Sequence, residues 1–381
     1  MVKSDEFYDI IVIGGGMAGA SVAAELAAQS RVLLLEAESR PGYHTTGRSA
    51  ALFTVAYGPP VIRALSRASL PFFRNPESPF LTHPLLKQRG VLFIARADQI
   101  DALQGLSAEL GDAVRPVDPH AARARMPLLR QGHVAGAVLD ETAADIDVDA
   151  LHQHYLKALL ARGGVVRTDS GVSGLGRVGG DWLVETRTGR FRAAIVVNAA
   201  GAWADEIAAM AGVSRIGLVP KRRTAVLIEP PAGVVPDSPG VWPAVVDVEE
   251  QFYIKPDAGK LLISPADETP SAPCDAQPEE IDVAICIDRI ETAFDIAVRR
   301  IEHKWAGLRS FVADKAPVAG HAPGAQGFFW LAGQGGYGIQ SAPALSRAAA
   351  ALVLGRALPD DIAAEGVEPS MLGAERLGDE A

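Results

Sequence analysis

The sequence predicts an α/β fold in two interwoven parts, one a parallel sheet covered on both faces and the other, α+β in character, a mainly antiparallel sheet. Three observations lead there. The chain opens strand–helix–strand with both strands apolar throughout, as in a parallel sheet buried on its two faces. Equally apolar runs return near residues 165–166, 194–197 and 328–331, far apart along the chain. Between them lie two excursions, 81–140 and 220–302, the second carrying alternating segments such as Phe252-Tyr253-Ile254 and Leu261-Leu262-Ile263.

Taken in order, Asp9-Ile10-Ile11-Val12-Ile13 is a short strand ending at glycines, and an alanine-rich helical pattern covers about 18–29. Val32-Leu33-Leu34-Leu35 then closes a parallel βαβ unit at Glu36. Pro41-Gly42 breaks the alternation, and a passage rich in Thr, Gly and Ser follows. Prolines scattered between 76 and 127 carry the chain into the first excursion. Asp147 suits the N-cap of a helix with Leu151, Tyr155, Ala158 and Leu159 on one face, ended by Gly163-Gly164. Strands follow at 165–166, 182–184 and 194–197, then the second excursion, then 328–331, a glycine-rich turn and a helix over about 341–354. The expected division places 1–80, 141–219 and 303–365 in the first part, 81–140 and 220–302 in the second, and leaves 366–381 as a dispensable tail.

Composition narrows the class. A chain of 381 residues with 48% hydrophobic content folds, so disorder is excluded as its main state. Lys and Arg number 36 against 46 Asp and Glu, a net charge of −10 with no compensating basic stripe, which argues against a nucleic-acid partner. Two cysteines, Cys274 and Cys286, are too few for a disulfide framework and fit a reducing compartment. The charge-mixed start is not the pattern expected of a secretory signal. Residues 316–346, free of Asp, Glu, Lys and Arg, are too rich in Gly, Gln, Pro and His for a membrane span. A cytoplasmic protein without membrane insertion is expected.

Gly14-Gly15-Gly16-Met17-Ala18-Gly19 reads G-x-G-x-x-G between strand and helix, with Glu36 at the end of the next strand. Gly14 permits the tight turn, Gly16 lets the backbone approach a pyrophosphate, and Gly19 lets helix and strand pack closely. The helix N-terminus faces the anion, which is the Rossmann-like arrangement. A carboxylate at Glu36 suits ribose hydroxyls and disfavours a 2′-phosphate, so FAD or NAD is expected and NADP is not. Two further loops choose FAD. Asn198-Ala199-Ala200-Gly201-Ala202-Trp203 runs from a buried strand into small residues, as a second backbone approach to the ligand requires. Ala332-Gly333-Gln334-Gly335-Gly336-Tyr337-Gly338 is the third approach. The helix after it would aim its positive end at a ring that becomes anionic on reduction, as a flavin does.

Over nearly its whole length the sequence resembles the D-amino acid oxidase/glycine oxidase (DAO) superfamily of FAD enzymes, and within it is most similar to the bacterial FAD-dependent D-arginine dehydrogenases. The resemblance is carried by Pro41-Gly42-Tyr43-His44, Thr46-Gly47-Arg48-Ser49-Ala50-Ala51, Ala144-Asp145-Ile146-Asp147 and Pro220-Lys221-Arg222-Arg223. Further on it is carried by Lys255-Pro256-Asp257-Ala258-Gly259, Trp305-Ala306-Gly307-Leu308-Arg309-Ser310 and Gln334-Gly335-Gly336-Tyr337-Gly338-Ile339-Gln340. It implies a Rossmann-like FAD-binding domain interwoven with a substrate-binding domain. It also implies oxidative deamination of a D-amino acid: hydride passes from Cα to flavin N5, and the imino acid hydrolyses to a 2-oxo acid and ammonia.

The resemblance also implies roles. Arg223, Arg309 and Tyr253 would clamp the substrate carboxylate, a task that suits arginine's planar, permanently charged fork. Gly336 and Gln340 would lie near the substrate amine and the flavin, and Tyr57 on a loop over the site. Besides the glycine motif, FAD would be held by Ala18 and Ala37, by His44, Thr46, Arg48, Ser49 and Ala50, and by Val166. Ala200, Gly201 and Trp203 would hold it on one side, and Arg309 with Gly335, Gly336, Tyr337, Gly338, Ile339 and Gln340 on the other. Tyr43-His44-Thr45 is similar to the setting in which some amine dehydrogenases of the superfamily attach FAD covalently, whereas the resemblance to the arginine enzymes implies non-covalent FAD.

Two positions depart from the arginine enzymes. Val91 stands where their glutamate meets the guanidinium, and Leu52 replaces a histidine. A guanidinium buried against Val and Leu without an anionic partner is strongly disfavoured. A D-amino acid with a neutral, apolar side chain such as Leu, Met or Phe is therefore expected in preference to arginine. Leu262 is expected near the flavin N5, where oxygen-using relatives carry a lysine, so that a quinone or another electron acceptor takes the electrons. Oxidation of glycine, sarcosine or another secondary amine is the alternative, and a 2-hydroxy acid dehydrogenase comes third. No metal site is expected.

Overall fold

Apolar content decides which segments become central strands. The structure, a computed structural model, describes residues 5–238 and 240–378. β1 (Glu6–Ile13) is buried without interruption from Ile10 to Ile13, and α1 (Met17–Leu26) and the fully buried β2 (Val32–Leu35) follow. Next come α2 (Pro60–Arg74), β3 (Val91–Ala95), α3 (Val148–Ala161), β4 (Val165–Arg167) and β5 (Gly189–Asn198). The second half brings β6 (Val219–Ile228), β7 (Ala244–Asp247), β8 (Tyr253–Asp257), β9 (Lys260–Ser264) and α4 (Glu280–Ala293). β10 (Ile301–Phe311), β11 (Phe328–Ala332) and α5 (Ala342–Val353) complete the frame.

In the first sheet the order β11–β5–β1–β2–β4 is parallel throughout. Its register lines up Ile13 with both Leu35 and Asn198, and Asn198 with Trp330, so the carboxyl ends of the strands form one edge. Ligands of open parallel sheets bind outside such an edge. Asp147 caps α3 as its side chain accepts from Ala150 N at 2.8 Å, and α1, α3 and α5 share one core with the sheet.

The second sheet follows the order β6–β9–β8–β7–β3, with β10 along the other side of β6. All of these pairs are antiparallel except β7 with β3. Strand alternation sorts its side chains. Leu92, Ile94, Val226, Val245, Ile254 and Ile263 share a core with Val283, Cys286 and Ile290 of α4. Val91, Phe93, Arg223, Ala225, Ala244, Val246, Tyr253 and Lys255 alternate with them and face the other way, toward the cavities described below.

Two boundaries differ from those read in the sequence. β10, assigned from residue 303 to the first part, pairs with β6 from Val219–Phe311 to Ile228–Ile301 and belongs to the second sheet. Residues 367–378 also pack against the fold and do not form a loose tail. Val367 and Leu372 are buried, and Leu372 O accepts from Ala319 N at 2.8 Å, because the edge strand Val318–His321 needs that cover. Among the described residues no helix is long and apolar enough to cross a membrane.

Candidate active site

Loops from three strands of the first sheet meet at its carboxyl edge around a cavity of about 490 Å³. The glycine turn is held from several sides. Gly14 has φ +104°, and a Cβ there would sit 2.4 Å from Ala199 O, so no other residue fits the crossing of the two loops. Gly15 N donates to Glu36 Oε2 at 2.8 Å, and Glu38 N to Glu36 Oε1 at 2.9 Å, which fixes the carboxylate on the cavity wall. His152 Nε2 lies 2.9 Å from Gly15 O. Met17 N, in the first turn of α1, donates to Thr46 Oγ1 at 2.9 Å and ties the helix start to the opposite wall.

Most of the residues expected around FAD line this cavity. They include Gly14, Gly16, Ala18, Glu36 and Ala37 at one end, and His44, Thr46, Arg48, Ser49 and Ala50 along one side. Ala200, Gly201, Trp203, Arg309, Gly335, Gly336, Gly338 and Ile339 complete it. Four expected residues do not line it. Gly19 packs against Gly14, where an added Cβ would come within 1.8 Å of the carbonyl oxygen, so it shapes the turn from behind. Val166 stays within the sheet opposite Leu34, and Gly171 and Val172 form the wall instead. The Tyr337 ring turns away to the rings of Tyr57 and Phe311, 5.1 and 6.2 Å off. Gln340 lines a neighbouring cavity, where its Oε1 accepts from Thr54 N at 3.3 Å and its Nε2 donates to Ser66 Oγ at 3.0 Å.

His44 and Arg48 are fixed by their own partners. His44 Nε2 lies 2.9 Å from Glu38 Oε1, and its ring lies 4.7 Å from that of Trp203. Arg48 Nη1 donates to Ala276 O and Ala306 O, both at 2.9 Å, and Nη2 pairs with Asp275, clamping the segment Thr45–Arg48 onto the second sheet.

The neighbouring cavity, of about 90 Å³, shares Ser49, Ala50, Arg223, Tyr253, Arg309, Gly336 and Ile339 with the large one, so the two are continuous. Both arginines stand at the junction for a reason of register. Arg223 lies opposite Gly307 and Arg309 opposite Lys221, so the two arginines sit diagonally on one face of the β6–β10 ladder. Arg223 is buried, with Nε donating to Asp267 O at 2.8 Å and Nη2 to Glu268 Oε1 at 3.2 Å. Arg309 has no carboxylate within ion-pair reach among the described residues. Burial pushes its guanidinium down, but the phenols of Tyr57 and Tyr253 outweigh this and it stays cationic. Gly336 lies flat against it: an added Cβ would be 2.8 Å from its Cζ and Nη1.

Leu52, Val91, Phe93, Ile146, Ala244 and Val246 give the smaller cavity apolar walls. Two charged residues line it that the sequence reading did not single out. Glu250, the one carboxylate among its described lining residues, sits at φ +57° in the turn before β8 and accepts from the Tyr57 hydroxyl at 3.1 Å. The position is therefore not free of acid, as the exchange at Val91 alone suggests. Lys255 is buried, its Nζ 2.9 Å from Asp145 Oδ1. Its place two residues after Tyr253 in an alternating strand is a usable signal for this face. Leu262, expected at the flavin, lines neither cavity; it pairs with Lys255 across the ladder, and the lysine reaches the wall instead.

A large groove with a glycine turn and a helix start at one end, opening onto a small, largely apolar chamber with a guanidinium that has no ion-pair partner among the described residues, fits a dinucleotide beside a small anionic molecule. Comparison with known proteins agrees with this. The FAD dependent oxidoreductase family, DAO, matches residues 9–352. Human mitochondrial sarcosine dehydrogenase is 26% identical over 349 residues, 84% of this chain but only 37% of its own length, so the chain spans just over a third of that relative. Glycine oxidase of Geobacillus kaustophilus is 24% identical over 348 residues, 88% of this chain and 90% of its own length. Its crystal structure superposes with a TM-score of 0.79 over 92% of this chain and 95% of that one. An FAD-bound L-α-glycerophosphate oxidase from Mycoplasma pneumoniae reaches 0.81 at 17% identity, over 92% and 95% of the two chains, a likeness of fold alone. With FAD as the cofactor that its glycine cradle fits, the chain belongs to the DAO family of FAD-dependent oxidoreductases.

Proposed function

We propose that the protein is an FAD-dependent D-amino acid dehydrogenase that prefers neutral, apolar side chains over arginine. The observation that carries this reading is Arg309, a guanidinium at the junction of the cavities with no carboxylate within ion-pair reach among the described residues. A half-buried cation facing a cavity in this way suits an anionic ligand. Arg223 on the same ladder face and Tyr253 beside it make the ligand a carboxylate gripped from several directions. The D configuration rests on the resemblance of these three residues to the clamp of the D-arginine dehydrogenases.

In this reading FAD binds non-covalently along Gly14–Gly16, Glu36, Thr46 and Arg48, and the second sheet carries the substrate from residue 81 to 140 and from 219 to 311. When bound, FAD supplies the acceptor for a hydride from Cα, and the resulting imino acid hydrolyses to a 2-oxo acid and ammonia. Arg223, Arg309 and Tyr253 hold the carboxylate and so fix the direction of the Cα–H bond, a positioning effect. Leu52, Val91, Phe93 and Val246 enclose the side chain, while the two charged residues of the chamber are already partnered, Glu250 by the Tyr57 hydroxyl and Lys255 by Asp145. No side chain is assigned as general base; the substrate reacts as its free amine. The electrons leave to a quinone or another acceptor, in a cytoplasmic setting.

Relatives named for glycine and sarcosine favour a second reading, oxidation of a small or secondary amine. The 90 Å³ chamber weighs against it, since glycine would leave its apolar walls unfilled. Anaerobic bleaching of the flavin with paired D- and L-amino acids decides. D-leucine, D-methionine or D-phenylalanine should give the highest kcat/KM. Highest values for D-arginine, for L-enantiomers or for sarcosine would overturn the proposal.

A further inference from the structure

Arg223 does not offer its whole guanidinium to a ligand. Its Nε donates to Asp267 O at 2.8 Å and its Nη2 to Glu268 Oε1 at 3.2 Å, so the side-on edge is taken by two consecutive residues. The loop bearing them is pinned in turn, because the Asp267 carboxylate accepts from Thr224 N at 2.6 Å and Thr224 Oγ1 at 3.0 Å. Glu268 has a second tether: its Oε2 accepts from Lys221 Nζ at 3.0 Å. Lys221 and Arg223 are two residues apart in β6 and so share a face, while Arg222 between them faces Glu279 and Asp282 on the other. The short strand Thr269–Pro270 pairs with Lys221 and Arg222, which carries Glu268 up to Arg223. Burial pushes the Glu268 carboxyl up, but Lys221, Arg223 and Lys315 outweigh it and keep it below the usual carboxylate range.

Glu268 lines neither cavity, so any part it plays in ligand binding passes through Arg223. We propose that Glu268 is a positioning residue for the substrate carboxylate: tethered by Lys221, it holds the Nε–Nη2 edge of Arg223 and leaves the Nη1–Nη2 end to the ligand. The inference rests on the carboxylate clamp proposed above. It differs in sign from the simpler view that Glu268 merely neutralises Arg223. A counter-charge competes with an incoming carboxylate, so its removal would tighten binding; a positioning residue, once removed, frees a long side chain to leave its productive orientation and weakens binding.

The test titrates oxidised holoenzyme with benzoate, followed by the change in flavin absorbance, and measures flavin reduction by the best D-amino acid. Glu268→Ala should raise the benzoate Kd and the amino-acid KM about tenfold, the range of one charge-assisted hydrogen bond, and should also lower the limiting reduction rate, because the clamp sets the direction of the Cα–H bond. Glu268→Gln keeps an acceptor for Arg223 and should recover most of the loss, which a nonspecific structural defect would not do. Lys221→Met serves as a second variant if Glu268→Ala does not retain FAD, with a loss of about threefold expected. Unchanged or tighter benzoate binding in Glu268→Ala, or in Lys221→Met where that variant is used, overturns the proposal. Wild-type enzyme that binds benzoate but is reduced by no D-amino acid overturns the proposed activity and leaves the role of Glu268 standing; wild-type enzyme that binds no carboxylate overturns both.

Discussion

Gly336→Ala isolates the placement of one guanidinium. The added Cβ would lie 2.8 Å from Arg309 Cζ and Nη1 and 3.0 Å from Nε. An ordinary contact is about 3.5 Å, so the guanidinium must retreat by about 0.7 Å. It can do so, because the obstructing atoms are the free end of a flexible side chain, and Gly336 is not among the glycines with positive φ. The change should therefore spare the fold and the flavin while displacing the clamp. Displacement by about 1 Å in a positioning site reduces rate about 100-fold, so kcat/KM for the best D-amino acid should fall by about that factor. Stopped-flow flavin reduction measures it, with FAD content and melting temperature as controls. A variant within threefold of wild type would refute the reasoning, since Arg309 would then not need its present position.

Two further outcomes are expected. Val91→Glu places a second carboxylate, beside Glu250, on the apolar wall and should raise kcat/KM for D-arginine at least tenfold while lowering that for D-leucine; a drop for both substrates would show that Val91 does not face the side chain. Burial, with help from the charge of Arg162, pushes the His154 imidazole down to about 4, against about 6.5 in an unfolded chain. Because the folded value is depressed, the contribution is complete above about pH 6.5 and is lost as the pH falls toward 4, about 3 kcal/mol in all. Urea midpoints at pH 7 and 4.5 should therefore differ less in His154→Gln than in wild type, and an equal fall in both would contradict this.

Legibility in the sequence followed how local the signal was. β1, α1 and β2 are plain because a buried parallel strand must be apolar throughout and a glycine turn must follow it. Asp147 is plain because an N-cap is a local contact. α2 was hidden by its prolines, yet Pro60 stands in the first turn, where no N–H is needed, and Pro71 lies near the far end. α4 lay inside a stretch read as sheet, although Val283, Cys286, Ile290 and Ala293 keep a helical spacing on its buried face. The pairing of Arg223 with Arg309 depends on an antiparallel register between segments more than eighty residues apart, and only the family resemblance brought them together beforehand. Glu250 and Glu268 are acids in loops, with nothing in the local pattern to separate them from solvated ones.

In the proposed reaction Arg309 grips the substrate carboxylate. Arg309→Met, compared with wild type on D-leucine and on 3-methylbutylamine, which is the same molecule without its carboxylate, tests it most directly. Flavin reduction by D-leucine should fall at least 100-fold in the variant, in line with the loss of charge-assisted bonds, while the slow reaction with the bare amine stays as it was. Equal losses on both, or none on either, would contradict the account.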